Sequence, residues 1–205
     1  MSKNLLYRII TILFFSPIVI FTVYEGDLFF KLILILIFIL GLNEILNLKN
    51  FFSKFLLFFF LTFFIFSIYQ IRYSNNGMMI LYFILILTWL SDIGGYVLGK
   101  YIGGKKIKII SPNKTFTGFF GSYLFTQFSL FFIPYFNIFA DLSTFFKFSL
   151  IVCLTTSVII GDLIFSYIKR LNKIKDYSNF FPGHGGLFDR IDGLIFAVIF
   201  FYIYI

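Results

Sequence analysis

Cysteine occurs once, at Cys153, and histidine once, at His184. A single thiol excludes an internal disulfide and any thiolate-bound metal cluster, and inside an apolar run it is expected to be a small buried hydrophobe. Charge is also scarce, since Asp, Glu, Lys and Arg together make up 13% of the 205 residues. That share is too small to clothe a soluble domain of this length. What is present instead is apolar: 60% of the residues are hydrophobic and the mean hydropathy is +0.98. The composition predicts an all-α, polytopic integral membrane protein, a single transmembrane domain over 1–205 with no room for a separate soluble unit.

A bilayer core of about 30 Å takes roughly 20 helical residues to cross. Apolar runs near 5–24, 28–48, 53–71, 78–97, 116–136, 144–165 and 187–205 give an expectation of about seven transmembrane helices. The last run is the least regular, because Asp189 and Asp192 open it. Lys3 and Arg8 precede the first run as in a signal peptide, but no small-x-small cleavage site follows, so an uncleaved anchor is expected. With an odd span count, every Lys and Arg except Lys31, Arg72 and Lys147 falls on one side. That asymmetry predicts a cytoplasmic N-terminus in an inner, cytoplasmic-type membrane, with both long polar loops, about 98–115 and 166–188, on the cytoplasmic face. The net charge of +8 then reads as basic loops beside anionic membrane lipids, and not as a nucleic-acid surface.

A carboxylate inside a span is costly, so each must be hydrated, paired or bound to a cation. Asp92 and Asp162 lie near the ends of otherwise apolar runs, and Asp189 and Asp192, three apart, share one face of a helix. Four carboxylates are therefore expected at one depth, an oxygen-rich set suited to a hard cation such as Mg²⁺. The plain alternative is that they cap helices or pair with Arg190 and Lys169.

The cations beside them come in two groups: Lys169, Arg170, Lys173 and Lys175 in one loop, and Lys105, Lys106, Lys108 and Lys114 in the other. Ser111 to Gly118, SPNKTFTG, surrounds Lys114 with hydroxyls, a proline and a glycine ahead of a span. Helix-start amides with hydroxyl and ammonium donors make a phosphate site, although the spacing is not that of a Walker motif. Gly94, Gly95, Gly99, Gly103 and Gly104 follow Asp92, and glycines in membrane helices serve close packing more often than ligand binding. His184 stands in PGHGGL, where its glycine neighbours permit close approach to a phosphate or a carboxylate.

The run S-Y-I-K-R, four residues, K-D-Y-S, then F-P-G-H-G-G-L-F-D-R-I-D, from Ser166 to Asp192, resembles the signature of the phosphatidate cytidylyltransferase, or CDP-diacylglycerol synthase, family. The likeness extends upstream through SDIGGYVLGKYIGG, SPNKTFTG and Gly161-Asp162, and so covers about 88–193. Before that, only Glu44 in GLNEILNL matches. This chain departs from the family pattern in being shorter, by N-terminal spans, and in having Thr117 where a longer polar residue is common. The resemblance divides the chain into scaffold spans, 1–77, and a catalytic half, 78–205.

The reaction implied is CTP + phosphatidate → CDP-diacylglycerol + pyrophosphate, in phospholipid biosynthesis at a membrane. The resemblance implies Mg²⁺ on Asp162 and Asp189, with Asp92 and Asp192 as further carboxylates, and a second, monovalent cation as a companion. Asp162, Asp189, Lys169, Arg170, His184 and Arg190 are the implied catalytic set. Ser111, Lys114, Thr115, Ser166, Lys175, Gly185 and Gly186 are the implied substrate-binding set. A homodimer is carried as the oligomeric expectation. Two rival functions stay open at this point: a CTP-dependent lipid kinase of the dolichol type, which releases CDP, and a transporter with intramembrane carboxylates.

Overall fold

The computed structural model describes residues 16–107, 111–180 and 185–204. Its helices are α1 (Ser16–Glu25), α2 (Asp27–Leu46), α3 (Phe51–Arg72), α4 (Gly77–Tyr101), α5 (Phe116–Thr126), α6 (Phe132–Phe136), α7 (Thr144–Leu171) and α8 (Phe188–Tyr204). Each expected apolar run has its helix, with the part of the first run before Ser16 outside the described residues. Five stretches are long and apolar enough to cross a membrane, among them Phe116–Phe136 taken as one. The fold is an all-α polytopic membrane bundle with one small addition, an antiparallel pair of strands, β1 (Lys106–Ile107) and β2 (Ser111–Thr115), between α4 and α5.

Local chemistry sets the ends of these helices. Asn50 caps α3 by accepting from the amides of Phe52 and Ser53 at 2.9 and 3.3 Å, and Thr115 caps α5 through the Gly118 amide at 3.1 Å. Arg72 at the end of α3 donates to the carbonyls of Val23 and Tyr24 and so closes the open end of α1. The fifth run is not one regular helix: a 3₁₀ turn over Gln127–Phe131 separates α5 from α6. There Thr126 and Gln127 both donate to the Tyr123 carbonyl, and Pro134 supplies no amide to the preceding turn.

The helices α3, α4, α7 and α8 bury the common core, with Leu57, Leu61, Phe83, Leu87, Leu154, Phe165, Ile195 and Phe201 fully enclosed. Outward faces carry large exposed apolar residues such as Phe51, Phe55, Phe120 and Phe145, as lipid-facing helices should. Cys153 belongs to that outer face: it is exposed on α7, contrary to the expectation of a buried thiol. The buried side of the helix is taken by Ile151, Leu154 and Val158, and position 153 lies off it.

Candidate functional site

The site begins with glycines. A side chain at Gly94 would strike the Gly121 carbonyl, and one at Gly121 would strike the Gly94 carbonyl, so α4 and α5 touch backbone to backbone. Gly118 lies equally close, with its missing Cβ only 2.9 Å from the Gly95 carbonyl. Gly94, Gly95 and Gly99 thus serve close packing of α4 on α5. The contact leaves a cavity of about 490 Å³ between α4, α5 and α7. Asp92, Gly95, Tyr96, Gly99 and Lys100 of α4 line it, a single helical face at spacings of three and four. Lys114 and Thr115 of β2 do the same, with Gly118, Phe119 and Ser122 from α5 and Ile159 and Asp162 from α7.

Asp162 is brought to this wall by a second close approach. The missing Cβ of Gly161 is 2.7 Å from the Asp192 carbonyl, and that of Gly193 is 3.2 Å from Asp162 Oδ1, so α7 and α8 meet where both carry an aspartate. Asp192 has Asp162, Lys114 and Asp92 as its electrostatic neighbours, and Asp92 has Asp162, Lys114 and Arg190. Lys114 Nζ donates to Asp162 Oδ2 at 2.6 Å, with both side chains partly open to the cavity. Asp92 and Asp162 thus share the cavity wall with Lys114, and Asp192 stands beside Asp162 across the α7–α8 contact, a set made wholly of hard oxygen donors. Such a set fits Mg²⁺, which needs one or two carboxylates and completes its shell with water and phosphate. Among the described residues no three acidic, histidine or cysteine side chains stand within common ligating reach.

Asp189 does not share this wall. Its Oδ1 accepts from Lys169 Nζ at 2.6 Å, and its Oδ2 accepts from the amides of Tyr177 and Gly186, both at 2.9 Å. The expected group of four therefore divides: Asp92 and Asp162 line the cavity, Asp192 adjoins Asp162 where α7 meets α8, and Asp189 closes the loop that leads into α8. Lys169 also lies over the Tyr177 ring at 5.6 Å. Tyr177 is wedged between Phe165 and Phe188 and donates its hydroxyl to the Phe165 carbonyl at 3.0 Å. Burial, with Asp189, Asp192 and Glu44 nearby, raises the Tyr177 phenol well above its ordinary value, so it stays a donor.

The other expected residues are dispersed around these two groups. Arg170, Lys175 and Arg190 are exposed, Ser166 is half-buried on α7, and Ser111 begins β2. Gly185 adopts φ +82°, and a side chain there would come within 2.8 Å of Asp189 Oδ2. Thr117 donates to the Gly103 carbonyl, which ties the start of α5 to the end of α4. His184 lies outside the described residues. Tyr96 and Lys100 were absent from the expected set, although stepping from Asp92 at helical spacing finds both; the Lys100 ammonium lies 3.1 Å from the Tyr96 hydroxyl. Glu44, noted only for its likeness to the family pattern, and Asn172 were given no role, because their partners are far away in the chain.

A family model described as "Cytidylyltransferase family" matches residues 47–205. The chain is similar to the phosphatidate cytidylyltransferase of Aquifex aeolicus, at 34% identity over 197 residues, covering 94% of this chain and 71% of that protein. It is 35% identical over 132 residues to the protein of that name from Bacillus subtilis, covering 63% of this chain and 48% of the relative. A Staphylococcus epidermidis protein of the same name is 35% identical over 127 residues, with 60% and 48% covered. The chain spans about half the length of these last two relatives.

Proposed function

The chain belongs to the cytidylyltransferase family, and from that footing we propose that it joins CTP to phosphatidate, giving CDP-diacylglycerol and pyrophosphate. One observation carries the reading: Asp92, Asp162 and Lys114 line a cavity of about 490 Å³ in an apolar bundle, with Asp192 on the helix that packs against Asp162. A lipid phosphate anchored in the bilayer and a water-borne triphosphate can meet only at such a level. The charge asymmetry of the loops supports a cytoplasmic mouth.

In the proposed reaction an oxygen of the phosphatidate phosphate forms a bond to the α-phosphorus of CTP. The bond from that phosphorus to the bridging oxygen breaks, and pyrophosphate leaves with it. The phosphate monoester is already ionised at neutral pH, so no strong general base is required. The difficulty is bringing one anion against another, and the chain answers with cations. Lys114 would exchange Asp162 for a phosphate oxygen, and Lys100 stands on the same wall. The exposed Arg170, Lys175 and Arg190 supply further positive charge on the side where CTP would arrive. Ser111 and Thr115 belong to the same proposed phosphate-binding loop as Lys114, and Lys169, Gly185 and Gly186 surround Asp189.

Asp162, with Asp92 and Asp192 beside it, is the proposed seat of Mg²⁺, and Asp189 is the further carboxylate once Lys169 yields its oxygen. When bound, the ion supplies charge neutralisation and in-line alignment of the triphosphate. The additional charge of the triphosphate accommodates a second, monovalent cation.

The test uses the full chain in detergent micelles with labelled CTP, phosphatidate and Mg²⁺. Labelled CDP-diacylglycerol with release of pyrophosphate is expected, and its formation should stop on chelation. Release of CDP with a newly phosphorylated lipid would identify a lipid kinase instead. Failure of CTP to bind in the presence of Mg²⁺ would favour a transporter.

A further inference from the structure

Glu44 lies near the end of α2, among the scaffold spans, and stands 134 residues before Ser178, its first partner in the signature loop. It is only 3% exposed, a position that costs a carboxylate several kcal/mol unless its oxygens are satisfied. They are satisfied by the signature loop. Oε1 accepts from the Ser178 hydroxyl at 2.7 Å and from the Leu187 amide at 2.6 Å, and Oε2 accepts from the Phe188 amide at 3.0 Å. Leu187 and Phe188 open α8, so Glu44 serves as the N-terminal cap of that helix from another part of the chain.

The room for it is made by Gly186, where any side chain would strike Glu44 Oε1. A second tie holds the end of α2 in register with the same loop. The buried Asn172, at the end of α7, accepts from the amides of Lys49 and Asn50 at 3.2 and 2.9 Å and donates to the Ile168 carbonyl at 2.9 Å. The next residues along α8 are Asp189 and Arg190, and the Gly186 amide beside the Glu44 carboxylate is the one that Asp189 receives. Glu44 lines no part of the cavity.

We infer that Glu44 is a positioning residue for the transfer reaction: its carboxylate, clamped to the amides of Leu187 and Phe188 and to Ser178, sets where the start of α8 presents Asp189 and Arg190. The inference rests on the cytidylyltransferase reading of the site. Its physical core, that one acceptor from α2 orders the α7–α8 loop, is independent of what the site binds.

Glu44→Gln tests it, because glutamine keeps the volume and turns one acceptor into a donor facing an N–H group. A space-filling role would leave the variant unchanged. The expected result in full-length protein is a kcat lowered about tenfold or more, with the KM for CTP changed less than about threefold. Amide hydrogen exchange should rise in the peptide that opens α8 and stay as in wild type across α4 and α5. Ser178→Ala removes one donor only and should move kcat and exchange in the same direction by less, which keeps the inference testable if Glu44→Gln folds poorly. Wild-type kcat and exchange in both variants would overturn it, as would exchange rising equally through the whole bundle. If the wild type forms no CDP-diacylglycerol, the functional reading fails, and the exchange measurement alone still decides the clamp.

Discussion

Two lysine–aspartate pairs stand on neighbouring parts of this bundle, each with Nζ and carboxylate oxygen 2.6 Å apart, and they are built for different work. In the first, Lys114 and Asp162 retain side-chain exposures of 28% and 20% on the wall of a cavity. In the second, Lys169 and Asp189 retain 16% and 4%, and the carboxylate's other oxygen is filled by two backbone amides. The open pair can exchange partners with an incoming phosphate. The closed pair holds a loop in shape, and its carboxylate can take another partner only when Lys169 lets go. Identical residue types at one separation therefore differ in role through what surrounds them.

The sharpest way to break this comparison is to neutralise each aspartate. Asp162→Asn should lower turnover by roughly a thousandfold or more, since it removes charge from the reacting wall, while unfolding free energy changes by less than about 1 kcal/mol. Asp189→Asn should show the reverse emphasis, with stability falling by about 3 kcal/mol as Lys169 loses a buried partner. Turnover with labelled CTP and denaturation in detergent measure the two; near-normal turnover in both variants would sink the metal assignment, and equal stability losses would erase the distinction between the pairs. Next in size, Gly121→Ala should cost about 1–3 kcal/mol by forcing α4 and α5 apart, with a lower Tm and a weaker affinity for CTP because the open pair's cavity is spread. The smallest effect is expected from Thr115→Ala, about 1 kcal/mol from a lost α5 cap. An unchanged Tm there would show that β2 and the Thr117 contact with Gly103 hold the helix start without it.

Much of the site was legible from the chain. Asp92 and Asp162 were marked by their cost inside apolar runs, Lys114 by its hydroxyl-rich surroundings, and Thr115 by its place before a span. The division of the carboxylates was not legible. Asp189 and Asp192 are three apart on one helix, and spacing alone puts them together; the Tyr177 and Gly186 amides draw Asp189 to the loop. The 3₁₀ turn inside the fifth run was also missed, because hydropathy does not register side chains that compete for a helix carbonyl. Cys153 was misplaced for a related reason: an apolar run in a membrane protein has two apolar faces, one toward protein and one toward lipid, and composition does not separate them.

By itself the sequence determined that this is an all-α polytopic membrane protein of the cytidylyltransferase family, since apolar run lengths and the Ser166 to Asp192 signature are properties of neighbours in the chain. Only the tertiary structure decided which carboxylates face the cavity, which one orders a loop, and that Glu44 caps α8 across 143 residues. Those outcomes depend on how closely helices approach at Gly94, Gly121, Gly161 and Gly193 and on where buried backbone amides point. Distance and direction of that kind arise from packing, and no local spacing encodes them.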